Sequence, residues 1–185
     1  MMRINFWFAI LLLLLSSHFA SASVSLLQPK SLAYQKNIIA EAEHSGLSRV
    51  ELDKSQTFDV VKDGKLQGTL IQGKGWVREV QPVCFIGWSK DGENINQFIQ
   101  TIGQGDWETV GCHKVDSVGF ISKKDDENEK IAVIYTIEAP DHYGTDYYVM
   151  GLKAGDGVYY DNSTTEKFQN SSLKTIAELR KAYQK

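Results

Sequence analysis

The chain contains no Gly-x-Ser-x-Gly elbow, no His-Glu-x-x-His pair and no Gly-x-x-x-x-Gly-Lys-Ser/Thr loop. The motifs that mark α/β-hydrolases, zinc peptidases and phosphate-binding loops are therefore missing. It is also poor in the residues from which other catalytic centres are built. Two cysteines, Cys84 and Cys112, and four histidines are all it has. Three of the histidines, His44, His113 and His142, follow residue 22, and they lack the short paired spacing of a mononuclear zinc site. Cys112 and His113 are neighbours, which on a strand send their side chains to opposite faces and cannot easily share a ligand. Neither a metal nor a cofactor is expected. A basic excess is absent as well: 20 Lys and Arg stand against 23 Asp and Glu, for a net charge of −3. A nucleic-acid partner would require a basic patch, so this balance argues against one. No internal repeat, low-complexity tract or second linker appears. A division near Gly103 would leave two halves with small cores, so residues 23–185 are read as one domain.

The most informative segment is the first 22 residues. Arg3 supplies a short positive region, Phe6 to Leu15 an apolar run and Ala20-Ser21-Ala22 a small-residue cleavage pattern, which together read as a secretory signal peptide. An apolar run of this length is half of the roughly 20 residues that a membrane-spanning helix needs. The expectation is an exported chain, periplasmic or secreted, with no stable membrane anchor after cleavage. In that setting an even cysteine count reads first as a disulfide, Cys84 to Cys112.

Apolar spacing and turn residues predict an α+β fold. Residues 31–43 read as a helix with Ser31 as its cap and Gly46 as its stop. Asp63-Gly64 is a hairpin signal between strands 57–62 and 65–71, and 76–88 reads as a third strand bent by Pro82. Ile95, Phe98, Ile99 and Ile102 predict a short central helix over 94–102. Residues 107–112 and 115–122 read as strands, and 123–130 as a solvated acidic turn. Residues 131–138 and 147–152 are apolar on both alternating faces, which fits a sheet covered on both sides or one whose open face meets a partner. Ala154 to Gly157 turns into strand 158–160, and 172–183 is a helix capped by Ser172. The expected architecture is one twisted antiparallel meander of about seven to eight strands, with helices near both termini packed on one face.

Weaker candidates for chemistry each have a plainer explanation. Ser171 and Lys174 match Ser-x-x-Lys, but they fall at a helix start. Glu108 and Glu138 could be paired carboxylates, although nothing in the sequence brings them together. The sequons at Asn162 and Asn170 matter only in a eukaryotic secretory pathway, whereas the leader is read here for a bacterial envelope. His142 beside Asp141 lies in a loop, where functional residues concentrate. The other outstanding feature is aromatic crowding: Tyr143, Tyr147, Tyr148, Tyr159 and Tyr160 fall close together. Tyrosine carries a large apolar body and a polar tip, the combination that interfaces favour. Strand alternation sends one member of each adjacent pair outward unless the second face is also covered.

The sequence therefore points to a chain that binds rather than turns over a substrate. The first expectation is an exported inhibitor or immunity-type protein that occludes an envelope-targeting enzyme, such as a cell-wall hydrolase, or a toxin. A small-ligand or lipid-binding envelope protein comes second, and a hydrolase with an unrecognised site third. The expected partner-binding residues are Asp141, His142, Tyr143, Asp146, Tyr148 and Tyr160.

Overall fold

Asp63 and Gly64 both take positive φ, 50° and 75°, the geometry of a two-residue turn whose twist matches the strands it joins. That turn links β2 (Leu47–Lys62) to β3 (Lys65–Val77), with Lys62 paired to Lys65. The computed structural model describes residues 24–185 apart from Asp125, Glu127 and Ala154. The signal peptide and cleavage site expected over residues 1–22 lie outside the described residues. A short first strand, β1 (Val24–Leu27), pairs with the end of β2, and helix α1 (Tyr34–His44) follows it. β4 (Gln81–Ser89) and β5 (Gln97–Gln100) complete a five-stranded sheet in the order β1-β2-β3-β4-β5. A second sheet contains β6 (Gly111–Phe120), β7 (Lys130–Ala139), β8 (His142–Lys153) and β9 (Gly157–Tyr160), again in sequence order. Helices α2 (Asn162–Gln169) and α3 (Ile176–Tyr183) end the chain.

The two sheets face one another across a shared core. Val60, Leu70, Ile86 and Trp88 of the first meet Ile131, Val133, Tyr148 and Met150 of the second. Each outer face has its own helical cover. Tyr34, Ile38 and Ala42 of α1 pack on Ile71, Val83 and Phe85, while Phe168 of α2 and Leu179 of α3 pack on Ile134, Tyr147 and Val149. The same device seats both covers. A Cβ at Gly87 would come within 2.4 Å of Ile38, and one at Gly119 within 2.6 Å of Ile176, so a missing side chain lets each helix approach its sheet.

Cys84 and Cys112 form a disulfide, both buried, with their Cα atoms 5.4 Å apart. It ties β4 of the first sheet to β6 of the second. At one lateral seam the side-chain amide of Gln97 donates to the Val158 carbonyl at 3.0 Å and accepts from the Val158 N–H at 2.9 Å. One glutamine thus stands in for a ladder between the edge strands β5 and β9.

Several sequence expectations are corrected. The single meander is two sheets of five and four strands, and the helices cover both outer faces rather than one. The central helix expected over 94–102 is β5, because Phe98 turns outward to Phe85 while Ile99 turns into the shared core. With a core on each face, the strand packs both residues partly buried, one against each cluster. The bent strand expected over 76–88 is a hairpin reversing at Arg78 and Glu79, both at positive φ. Residues 107–112 begin with a 3-10 turn, Gly105–Trp107, and β6 starts at Gly111. The last helix is capped by Thr175, not Ser172. The doubly apolar strands are covered on both sides, by the first sheet and by α2 and α3. In the acidic turn Asp125 and Glu127 lie outside the described residues, and Glu129 is buried against Lys62, with Nζ and Oε1 2.8 Å apart.

Candidate binding surfaces

The six residues expected to contact a partner separate into two groups. Asp141, His142 and Tyr143 lie exposed at the tip of the β7–β8 hairpin, where Ala139 pairs with His142. His142 Nδ1 stands 2.7 Å from Asp141 Oδ1, a contact that holds the Asp141 carboxyl below its ordinary pKa. Tyr143 is 62% exposed, and its ring lies 4.7 Å from that of His113. His113 Nδ1 is in turn 4.0 Å from Glu138 Oε2.

Asp146, Tyr148 and Tyr160 turn toward one another, Tyr148 buried and Asp146 and Tyr160 half-buried. The reason is Trp107. Its Nε1 donates to Asp146 Oδ2 at 2.7 Å, and its ring lies 5.9 Å from Tyr148 and 6.1 Å from Tyr160. The two tyrosines stack at 4.4 Å, and Tyr148 is only 4% exposed. Burial raises the Asp146 carboxyl despite its bonds from Tyr147 N–H and Trp107, and burial also pushes the Tyr148 hydroxyl up. Alternation does send Tyr147 and Tyr148 to opposite faces, but both faces are covered, so both are buried.

The exposed group has neighbours that the sequence reading passed over. The β3–β4 hairpin tip presents Val80, 78% exposed. Beside it Trp76 carries the Arg49 guanidinium 4.7 Å and the Lys74 ammonium 4.9 Å from its ring centroid, a cation–π arrangement that fixes the indole. Val80 and Pro140, from the two hairpin tips, border one cleft of about 440 Å³. The Gln81 side chain donates across its floor to the Val110 carbonyl at 2.9 Å. Gly111 lets Pro82 pass, since a Cβ there would stand 2.8 Å from the proline ring. The disulfide lies close by in both strands, at Cys84 and Cys112, and ties the β3–β4 hairpin to β6, where Cys112 pairs with Ile137 of β7. His113 was visible in one signal: a buried Cys112 obliges its neighbour to point outward.

The arrangement offers two exposed apolar groups, Val80 and Tyr143, rimmed by His113, Glu138, Asp141 and His142. Among the described residues no three of His, Cys, Asp and Glu converge as a metal site would require. None of the described helices is long and apolar enough to cross a membrane. No protein-family model matches the chain, and neither a curated protein nor a solved structure matches it.

Proposed function

We propose that the chain is an exported binding protein of the inhibitor or immunity type, which engages an envelope-targeting enzyme or a toxin through its two hairpin tips. The observation that supports this reading is the exposure of Val80 and Tyr143 on two hairpins, with the Cys84–Cys112 disulfide tying the first hairpin to β6, the strand that pairs with β7 of the second. A contact surface gains affinity when it is ordered before the partner arrives, because less freedom is lost on binding. Aromatic residues at such a surface supply area with few rotatable bonds.

The test uses the tagged mature chain to capture a partner from envelope extract, followed by assay of the captured protein's activity with and without the chain. Tyr143→Ala and Val80→Asp should each weaken binding by about thirtyfold, the loss of roughly 2 kcal/mol typical of an interface anchor. Melting temperature should barely move, since both side chains are mostly exposed. Tyr147→Ala is the contrast. That side chain is fully buried, so its truncation should cost about 3 to 5 kcal/mol of stability and leave affinity per folded molecule unchanged.

A further inference from the structure

The two lateral seams of the sandwich differ. Gln97 closes the one between β5 and β9, whereas at the other the edge strands β1 and β6 border a groove of about 660 Å³. Val24, Leu26 and Phe120, which pack on the shared core, form its apolar part. Its rim holds Lys123, Lys124 and Arg180, and no carboxylate among the described residues lines it. That is a local reversal of sign in a chain of net charge −3. None of the three cations is in an ion pair among the described residues. Asp126, the described carboxylate nearest to the two lysines in sequence, accepts from Asn128 N–H.

Arg180 is held in a form suited to carboxylates. Its Nε donates to the Phe120 carbonyl at 2.9 Å, which pins the guanidinium and leaves its two terminal amino groups without a partner among the described residues. Such a fork matches the two oxygens of a carboxylate. The two strand edges at the groove are not equivalent. The carbonyls that end β6 are occupied, Phe120's by Arg180 and Ile121's by Gln184 Nε2, and the strand is bulged between Cys112 and Lys114 and between Val115 and Ser117. β1 keeps an unbroken register, Val24 to Leu27 against Lys62 to Asp59, and pairs on one side only. Its outer N–H and C=O groups are a template for a further strand. We propose that an extended acidic peptide segment of another protein docks in this groove as a strand on the free edge of β1, its carboxylates meeting Arg180, Lys123 and Lys124. Four residues offer an edge of only about 13 Å, so charge must add to what the backbone supplies. Alternate side chains of the added strand reach the cations over Val24 and Leu26, and the others lie beside Leu27, which is 49% exposed. A second copy of this chain fits poorly, because pairing β1 with β1 would bring together two sets of the same three cations. Val24 pairs with Lys62 beside the β2–β3 turn, away from the hairpin tips, so the site does not depend on the function proposed above.

The test is fluorescence anisotropy of a labelled heptapeptide that alternates Glu and Val, with Glu at both ends, titrated with the mature chain. A heptapeptide with Lys in place of Glu is the control and should not bind. Lys123→Gln combined with Lys124→Gln changes two exposed side chains, leaves the fold intact and should weaken binding of the Glu peptide by about tenfold. Saturation with that peptide should slow exchange of the outward amides of β1 by about tenfold or more, a readout that charge attraction alone would not move. Binding of the Glu peptide no tighter than that of the Lys peptide overturns the proposal, as does unchanged affinity in the double variant. Unaltered exchange in β1 shows that no strand is added and overturns it equally. So does displacement of the peptide by a single-stranded oligonucleotide or by phosphatidylglycerol vesicles as readily as by unlabelled peptide, which would make the groove a general anionic contact. Sedimentation of the peptide-free chain as a dimer that the Glu peptide dissociates would assign the edge to a second copy instead.

Discussion

Helix α1 covers the five-stranded sheet with eleven residues and no side-chain cap, whereas α2 and α3 cover the four-stranded sheet with eight residues each and are both capped. Isolated helices shorter than about 12 to 15 residues are marginal in water, so each cover needs support from outside its own backbone. The first finds it in packing, through Tyr34, Ile38 and Ala42, with Ile38 seated on Gly87. Its polar links among the described residues are two, Asn37 Nδ2 to the Glu93 carbonyl at 3.0 Å and Gln100 Nε2 of β5 to the carbonyl of its C-cap Ser45 at 3.1 Å, and neither involves a charged group. The second cover relies on charge and hydrogen bonding as well. Asp161 caps α2 by accepting from Thr164 N–H, and its other oxygen stands 2.7 Å from Lys130 Nζ. Both partners of that ion pair are largely buried, at 9% and 11% side-chain exposure. The lesson is that sensitivity to charge should be concentrated on one face of the molecule.

The largest expected effect is that of Asp161→Ala. It removes the α2 cap and leaves Lys130 buried without its carboxylate, a change that typically costs about 3 to 5 kcal/mol. Equilibrium denaturation would measure it, and a loss below about 1 kcal/mol would place Asp161 among ordinary surface positions and erase the difference between the two covers. Next in size is replacement of both Cys84 and Cys112 by Ser, expected to cost about 2 to 5 kcal/mol. Because that bond joins the sheets to each other, both covers should melt together at a lower midpoint. Intact mass with and without reduction before alkylation checks that the native chain holds no free thiol.

Acid should separate the covers. Burial raises the Asp161 carboxyl, but the bonds from Lys130, Thr164 and Ser163 outweigh it and bring the pKa to about 2, from an ordinary 3.8. A carboxyl with a lowered folded pKa stabilises fully above its ordinary value and loses that contribution as pH falls through the folded value. Stability from this group should therefore fall between about pH 4 and pH 2, with amide exchange rising first in α2. Asp161→Ala should flatten this part of the pH profile. Equal acid loss of protection in α1 would show that the two faces are not distinguished by charge.

The sequence made visible those features that rest on local chemistry. Asp63-Gly64 encodes its turn by backbone preference alone, and the two cysteines required only a count and a compartment. What remained hidden depends on distant partners. Residues 94–102 have helical spacing, yet they form β5 because one core accepts Phe98 and another Ile99. The reversal at Arg78 and Glu79 uses positive φ without glycine or asparagine, so no turn residue announced it. Helix α2 was missed although Asp161 is a recognisable cap, since Asn162 to Gln169 carries only one large buried apolar residue, Phe168. Asp141, His142 and Tyr143 were legible as an exposed loop. The burial of Tyr148 and half-burial of Asp146 and Tyr160 were not legible, because Trp107 reaches them from a turn far away in sequence.

The smallest effect provides the finest test of the contrast between the covers. Thr175 starts α3 with a reciprocal box: its hydroxyl accepts from Glu178 N–H at 3.2 Å, while the Glu178 carboxylate accepts from Thr175 N–H at 3.0 Å and Lys174 N–H at 2.9 Å. These bonds hold the Glu178 carboxyl below its ordinary pKa. Removing such a cap costs about 1 kcal/mol, too little to unfold the chain but a large share of what keeps eight residues helical. α3 has one fully buried anchor, Leu179, and two bonds to the sheet, from Arg180 Nε to the Phe120 carbonyl and from Gln184 Nε2 to the Ile121 carbonyl. Thr175→Ala should therefore loosen α3 locally. Amide exchange should rise about fivefold in α3, the equivalent of roughly 1 kcal/mol, with α1 unchanged. Ser31→Ala is the matched control, because the Ser31 hydroxyl accepts only from Ala33 N–H, outside the helix. Should Ser31→Ala loosen α1 as much as Thr175→Ala loosens α3, both covers depend on capping and the difference lies in length alone.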